Sequence, residues 1–177
     1  LLTCPGRPVA LRSVRNAPIG MFDSGFGGLT VARALIDLLP GEDLVYLGDT
    51  GRYPYGPRSM VEVAHFAHQI TEELVERRGV KLVVVACNTA AAAALGELRE
   101  RFDVPIVGVI EPGVRSLAQA THTGHVGVIG TVGTINSGAY QEAVAEHAPD
   151  VQLTALACPG FVEFVERGEF DSEQVHV

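Results

Sequence analysis

The chain has 177 residues, 47% hydrophobic and 19% charged, with a formal net charge of −8. That length buries roughly 70% of the unfolded surface, enough for one α/β domain or two small ones. The acidic balance argues against a surface that tracks nucleic acid, which needs clustered Lys and Arg, yet permits an anionic small molecule held by backbone N–H groups. Three cysteines, Cys4, Cys87 and Cys158, form no C-x-x-C pair and no zinc-spaced cluster, so no metal site is expected. Their sparse, odd count suits a reducing cytoplasm. Residues 1–16 hold no apolar run long enough for a signal peptide or a membrane span and read as a loose leader, with Cys4 incidental.

In chain order, Pro18–Phe22 predicts a first strand, followed by the turn Asp23-Ser24-Gly25-Phe26-Gly27-Gly28. A helix follows over Leu29–Leu39, ended by Pro40-Gly41. Leu44–Leu47 is a second strand, then comes a loop over Gly48–Ser59 rich in Gly, Pro and Tyr. Val61–Arg78 has the period of an amphipathic helix, with His65 and His68 on its solvated face. Leu82–Val85 is a short strand buried on both sides, and the alanine run Ala90–Ala94 opens a helix that continues to about Phe102. Val104–Ile110 predicts a fourth strand and Pro112–Thr121 a helix. A strand over His125–Ile129, a helix over Ser137–Ala148 and a strand over Val151–Ala157 follow, with a short amphipathic segment at Phe161–Arg167. Strand–helix alternation predicts an α/β fold with mainly parallel sheets and helices on both faces. A boundary near Glu111-Pro112-Gly113 divides it into related units, residues 17–111 and 112–177, each with three α/β/α layers and with the site between them.

Between strand and alanine run sit Cys87, Asn88 and Thr89. A cysteine at the carboxyl end of a buried strand, facing a helix N-terminus, is expected to have a lowered thiol pKa. Asn88 or Thr89 is expected to cap that helix, and Thr131 and Thr134 to sit at another helix start, as caps or as carboxylate ligands. Asp23-Ser24-Gly25 and Asp49-Thr50-Gly51 are each the tripeptide of an aspartic protease, but that chemistry needs a β-rich fold. Gly25, Gly27 and Gly28 lack the third glycine of a dinucleotide fingerprint. Cys158 precedes Pro159, which supplies no N–H for a thiolate, and reads as structural.

Taken together, Phe22-Asp23-Ser24-Gly25-Phe26-Gly27-Gly28-Leu29, Pro54-Tyr55-Gly56, Cys87-Asn88-Thr89, Gly130-Thr131-Val132-Gly133-Thr134 and Cys158-Pro159-Gly160-Phe161-Val162 resemble the glutamate racemases of the aspartate/glutamate racemase superfamily. The resemblance runs along nearly all of residues 19–166. It implies a cofactor-independent, two-thiol enzyme of two α/β domains that supplies D-glutamate for peptidoglycan, with homodimers usual. It assigns Cys87 as the base that takes the α-proton from D-glutamate, assisted by Asp23, and Glu166 as an acid near the second thiol. Ser24, Asn88, Thr89, Thr131 and Thr134 would hold the carboxylates and the amine, with Tyr55 and Gly56 closing over them.

The chain departs from the family in one respect. The Gly-Cys-Thr-His segment of the second thiol does not occur, and Cys158 already matches a separate Cys-Pro position. The chain therefore reads as an N-terminal fragment, expected to be inactive alone and to expose apolar surface. Two other readings stand beside this one: a superfamily racemase for aspartate or a hydantoin, and a glutamate-binding protein without turnover.

Overall fold

The computed structural model describes residues 16–169 and 171, so all of the expected leader but Asn16 lies outside the described residues. Four parallel strands, β1 (Ile19–Asp23), β2 (Leu44–Gly48), β3 (Leu82–Val85) and β4 (Ile106–Gly108), form one sheet in the order β2-β1-β3-β4. Helix α1 (Gly28–Leu38) covers one face of it. Helices α2 (Met60–Glu72) and α3 (Asn88–Arg101) cover the other. β1 hands on to β2 on one side, while β3 hands on to β4 on the other. The crevice between the carboxyl ends of β1 and β3 is thus a topological switch point, where α/β sheets bind ligands.

The predicted helix over residues 61–78 is shorter and changes pitch. Ser59 caps it in a reciprocal box with Glu62, and after Glu72 it widens into a π-helical turn, Glu73–Arg77. Gly79, at φ +62°, closes the turn in the left-handed conformation that glycine adopts without strain. His68 is not on a solvated face: its Nε2 lies 3.0 Å from Glu97 of α3, and its Nδ1 is buried without a partner.

The fourth strand is confined to three residues because α4 (Ile110–Ala120) begins early. Pro112 falls in its first turn, where a missing N–H leaves no intrahelical bond unmade. Residues 111–113 are therefore helical. The passage from the first sheet to the second runs through α4, which packs on a later helix over Ala139–His147.

The second sheet among the described residues is a parallel pair, β5 (His125–Gly130) and β6 (Gln152–Ala157), in register from His125↔Gln152 to Gly130↔Ala157. Between the two run a short helix absent from the sequence reading, α5 (Val132–Asn136), and α6 (Ala139–His147). Gly138, at φ +78°, makes the break that starts α6 later than expected. α7 (Phe161–Arg167) follows β6.

One core cluster runs from Phe22, Leu74 and Val85 through Ala90 and Leu98 to Val114, Ala143 and Val144, joining both sheets' helices. Burial along β5 and β6 alternates, with one face packed and the other open. Ile129 and Leu156 are 60% and 61% exposed on that open face.

Candidate functional site

The crevice at the switch point is a cleft of about 340 Å³. All ten residues singled out in the sequence line it: Asp23, Ser24, Tyr55, Gly56, Cys87, Asn88, Thr89, Thr131, Thr134 and Glu166.

Asp23 ends β1 and is buried. Its Oδ2 accepts the N–H groups of Gly25 at 3.2 Å and Gly28 at 2.9 Å. A Cβ on Gly28 would stand 2.6 Å from the Asp23 Cβ, so only glycine lets the turn close. This turn spends its own N–H groups on Asp23, which disfavours a phosphate cradle and with it the dinucleotide reading. Asp49 follows β2, pairs with Arg52 at 2.6 Å and accepts the Tyr55 hydroxyl. It forms no proton-sharing dyad with Asp23 of the aspartic-protease kind.

Cys87 itself caps α3, where Asn88 or Thr89 was expected to do so. Its backbone is extended, and its Sγ accepts the Ala90 N–H at 3.5 Å while lying 3.6 Å from Ser24 Oγ. The expected lowering of the thiol pKa is not found. Burial, and then the Asp23 carboxylate, push the Cys87 thiol up, and the donors from Ala90 and Ser24 offset this only in part. The helix terminus is present, but a thiol 6% exposed loses more from desolvation than the dipole returns. Tyr46, behind Asp23, is pushed up to about 12 by burial, then by Asp23 and Cys87.

Beyond Cys87, the N–H groups of Asn88 and Thr89 occupy the first two helical positions and have no intrahelical acceptor. Thr89 Oγ1 lies 3.1 Å from both Thr131 Oγ1 and Thr134 Oγ1, which are 2.9 Å apart. Thr131 caps α5 by accepting the Thr134 N–H at 3.2 Å. Three hydroxyls from the starts of α3 and α5 thus form a triangle, and an incoming carboxylate can open it by accepting their hydrogens.

The loop between β2 and α2 forms the opposite rim. Tyr55 is buried and tied to Asp49, so its side chain anchors the loop that rims the cleft. Arg52 stacks 4.3 Å over the Phe66 ring and helps to fix the same loop. A Cβ on Gly56 would meet Thr131 Cγ2 at 3.0 Å, which shows how closely the rim approaches the start of α5. Glu166 projects from α7, its Oε1 3.2 Å from where a Gly25 Cβ would be.

Two lining tyrosines escaped the sequence reading. Tyr53 carries a buried hydroxyl that faces Glu166 without closing a well-formed hydrogen bond, and burial followed by Glu166 pushes it up to about 12. Tyr140 reaches the cleft from α6. Neither belongs to a motif; a lone tyrosine in an amphipathic helix or a turn-rich loop carries no local signal. Cys158 lines a smaller neighbouring cavity with Pro54, Gly56 and Pro57, and does not line the cleft. Among the described residues no group of three His, Cys, Asp or Glu side chains gathers as a metal site, and no helix is long and apolar enough to cross a membrane.

A family model described as Asp/Glu/Hydantoin racemase matches residues 27–175. Glutamate racemase of Corynebacterium diphtheriae is 56% identical over 162 residues, 92% of this chain and 60% of the relative. That of Mycobacterium tuberculosis is 57% identical over 159 residues, 90% of this chain and 58% of the relative. Among solved structures, glutamate racemase RacE1 of Bacillus anthracis superposes with a TM-score of 0.84 at 45% identity, covering 90% of this chain and 59% of that one. The Francisella tularensis glutamate racemase in complex with D-glutamate gives a TM-score of 0.81 at 38% identity, over 90% of this chain and 60% of the other. The chain therefore spans about 60% of the length of these relatives.

Proposed function

Because the chain belongs to the Asp/Glu/Hydantoin racemase family, we propose that it is the part of a glutamate racemase that carries one of two proton-transfer thiols. The observation that carries this reading is the Cys87 thiol beside Asp23 in a cleft walled by paired hydroxyls and free helix N–H groups. Glutamate offers two carboxylates and one ammonium. Ser24, Asn88, Thr89, Thr131 and Thr134 supply donors for the carboxylates, and Asp23 supplies the negative charge for the ammonium. Cys87 removes the α-proton as its thiolate, without a cofactor, and Asp23 and Glu166 assist proton movement.

The raised Cys87 thiol fits such a sequence of events. Burial and Asp23 suppress the thiolate in the empty site. An ammonium arriving within roughly 4–6 Å opposes both, because a nearby positive charge favours the charged form. The substrate then brings its own base into play. Oriented donors must also stabilise the developing carbanion, usually the largest catalytic term.

Inversion needs one base on each face of the α-carbon, and Cys87 is the one thiol that lines the cleft among the described residues. We read residues 17–111 and 112–177 as two α/β units that share this cleft. The 177-residue chain is expected to bind glutamate without inverting it. In the cytoplasm, the whole protein, as a homodimer, would supply D-glutamate for peptidoglycan. Calorimetric titration with D-glutamate, with a circular dichroism assay of L-glutamate inversion on the same sample, tests the reading. Saturable binding without inversion supports it, and binding weakened in Asn88→Ala places the ligand in this cleft. Preference for aspartate or a hydantoin would move the protein to another branch of the superfamily. Full inversion by the chain alone would overturn the two-thiol argument.

A further inference from the structure

The cleft holds one side-chain bond that no assigned role explains. Tyr140, the second residue of α6, donates its hydroxyl to Asn88 Oδ1, the first residue of α3, at 2.8 Å. The two lie 52 residues apart, on helices that belong to different sheets. A carboxamide has an acceptor end and a donor end, and nothing intrinsic selects which of them meets a ligand. Donation from Tyr140 engages the oxygen and leaves both Nδ2 hydrogens for the cleft, beside the free N–H groups of Asn88 and Thr89. Turned the other way, Asn88 would offer its oxygen to an anionic ligand and repel it.

From this geometry we infer that Tyr140 is a positioning residue that fixes the Asn88 amide with its donor end toward the substrate carboxylate. The inference rests on the glutamate reading of the site and deepens it. Burial pushes the Tyr140 phenol up, so it remains a protonated donor through the neutral range. Asn88 is itself exposed, so packing does not hold its rotamer and the bond to Tyr140 does. Tyr140 touches the amide rather than the reacting atoms, so its loss should fall on binding and leave the acidity of Cys87 alone.

The test uses the 177-residue chain and three variants: Tyr140→Phe, Asn88→Ala and the double variant. In ligand-free protein, Tyr140→Phe should shift the Asn88 side-chain amide resonances in a nitrogen-15 spectrum while the remaining pattern stays folded. D-Glutamate should bind this variant roughly three- to tenfold more weakly, the loss of one hydrogen bond's ordering. In the Asn88→Ala background, Tyr140→Phe should add no further weakening, which separates an effect through the amide from a general structural one. Unmoved Asn88 amide resonances would overturn the inference, as would an equal weakening in both backgrounds. If the unaltered chain bound no D-glutamate, the glutamate reading would fail, and the amide resonances would still decide the role of Tyr140.

Discussion

At the scale of single residues, the site is governed by a contest around one sulfur atom. Cys87 has the helix terminus that sequence reasoning associates with a reactive thiolate, yet burial and Asp23 outweigh it. The sign of the pH dependence follows. A group whose pKa is higher in the folded than in the unfolded chain favours the fold in its protonated form. The contribution of Cys87 is therefore complete below the ordinary thiol value of about 8.5, and it is lost as pH rises toward the folded value. Alkylation of Cys87 by iodoacetamide, mapped by mass spectrometry near neutral pH, should be slower than that of free cysteine. Asp23→Asn keeps an oxygen for the Gly25 and Gly28 N–H groups but removes the charge, so it should speed alkylation of Cys87. Unchanged or slower alkylation in that variant would show that Asp23 does not set the thiol's acidity.

At the scale of elements, the pieces are positioned by close backbone approach as much as by side-chain packing. β1, the Asp23 turn and α1 meet at Gly28, where a methyl group would collide with the Asp23 Cβ at 2.6 Å and the Tyr46 hydroxyl at 2.9 Å. Gly28→Ala should cost about 1–3 kcal/mol in urea unfolding, the usual range for overpacking, and weaken D-glutamate binding by displacing Asp23. Unaltered stability would mean that the turn relaxes freely.

The same junction shows what the sequence could reveal. The strand at residues 82–85 was visible as an apolar run bounded by a charge and a polar turn, and the helix after it as an alanine run. That Cys87 caps α3 was not visible, because Ser, Thr, Asp and Asn dominate cap positions and sulfur is a poor acceptor. α5 was missed because five residues are too few to display a helical period. The π-helical turn at residues 73–77 leaves the apolar spacing of its helix almost unchanged, and so left no mark. The Thr89–Thr131–Thr134 triangle and the Tyr140–Asn88 bond depend on helices brought together by tertiary packing, which no local pattern encodes.

At the scale of the whole molecule, residues from around both sheets line one cleft, and α3 contacts helices of both. Its first turn carries Cys87, Asn88 and Thr89 toward the switch point, while its length packs on α2 and abuts α4 and α5. The open face of β5 and β6, with Ile129 and Leu156 outward, and the neighbouring Phe26, 62% exposed, give the chain the apolar surface anticipated from its sequence. The relatives it matches are longer. On the reading proposed above, Cys87 is the base acting on the α-proton of a bound glutamate. The most direct measurement is proton NMR of D-glutamate incubated with the chain in deuterium oxide. We expect loss of the α-proton signal, as the thiol takes the proton, exchanges it with solvent and returns deuterium, and no loss with Cys87→Ala. An α-proton signal that persists with the unaltered chain, or exchange that survives Cys87→Ala, would contradict it.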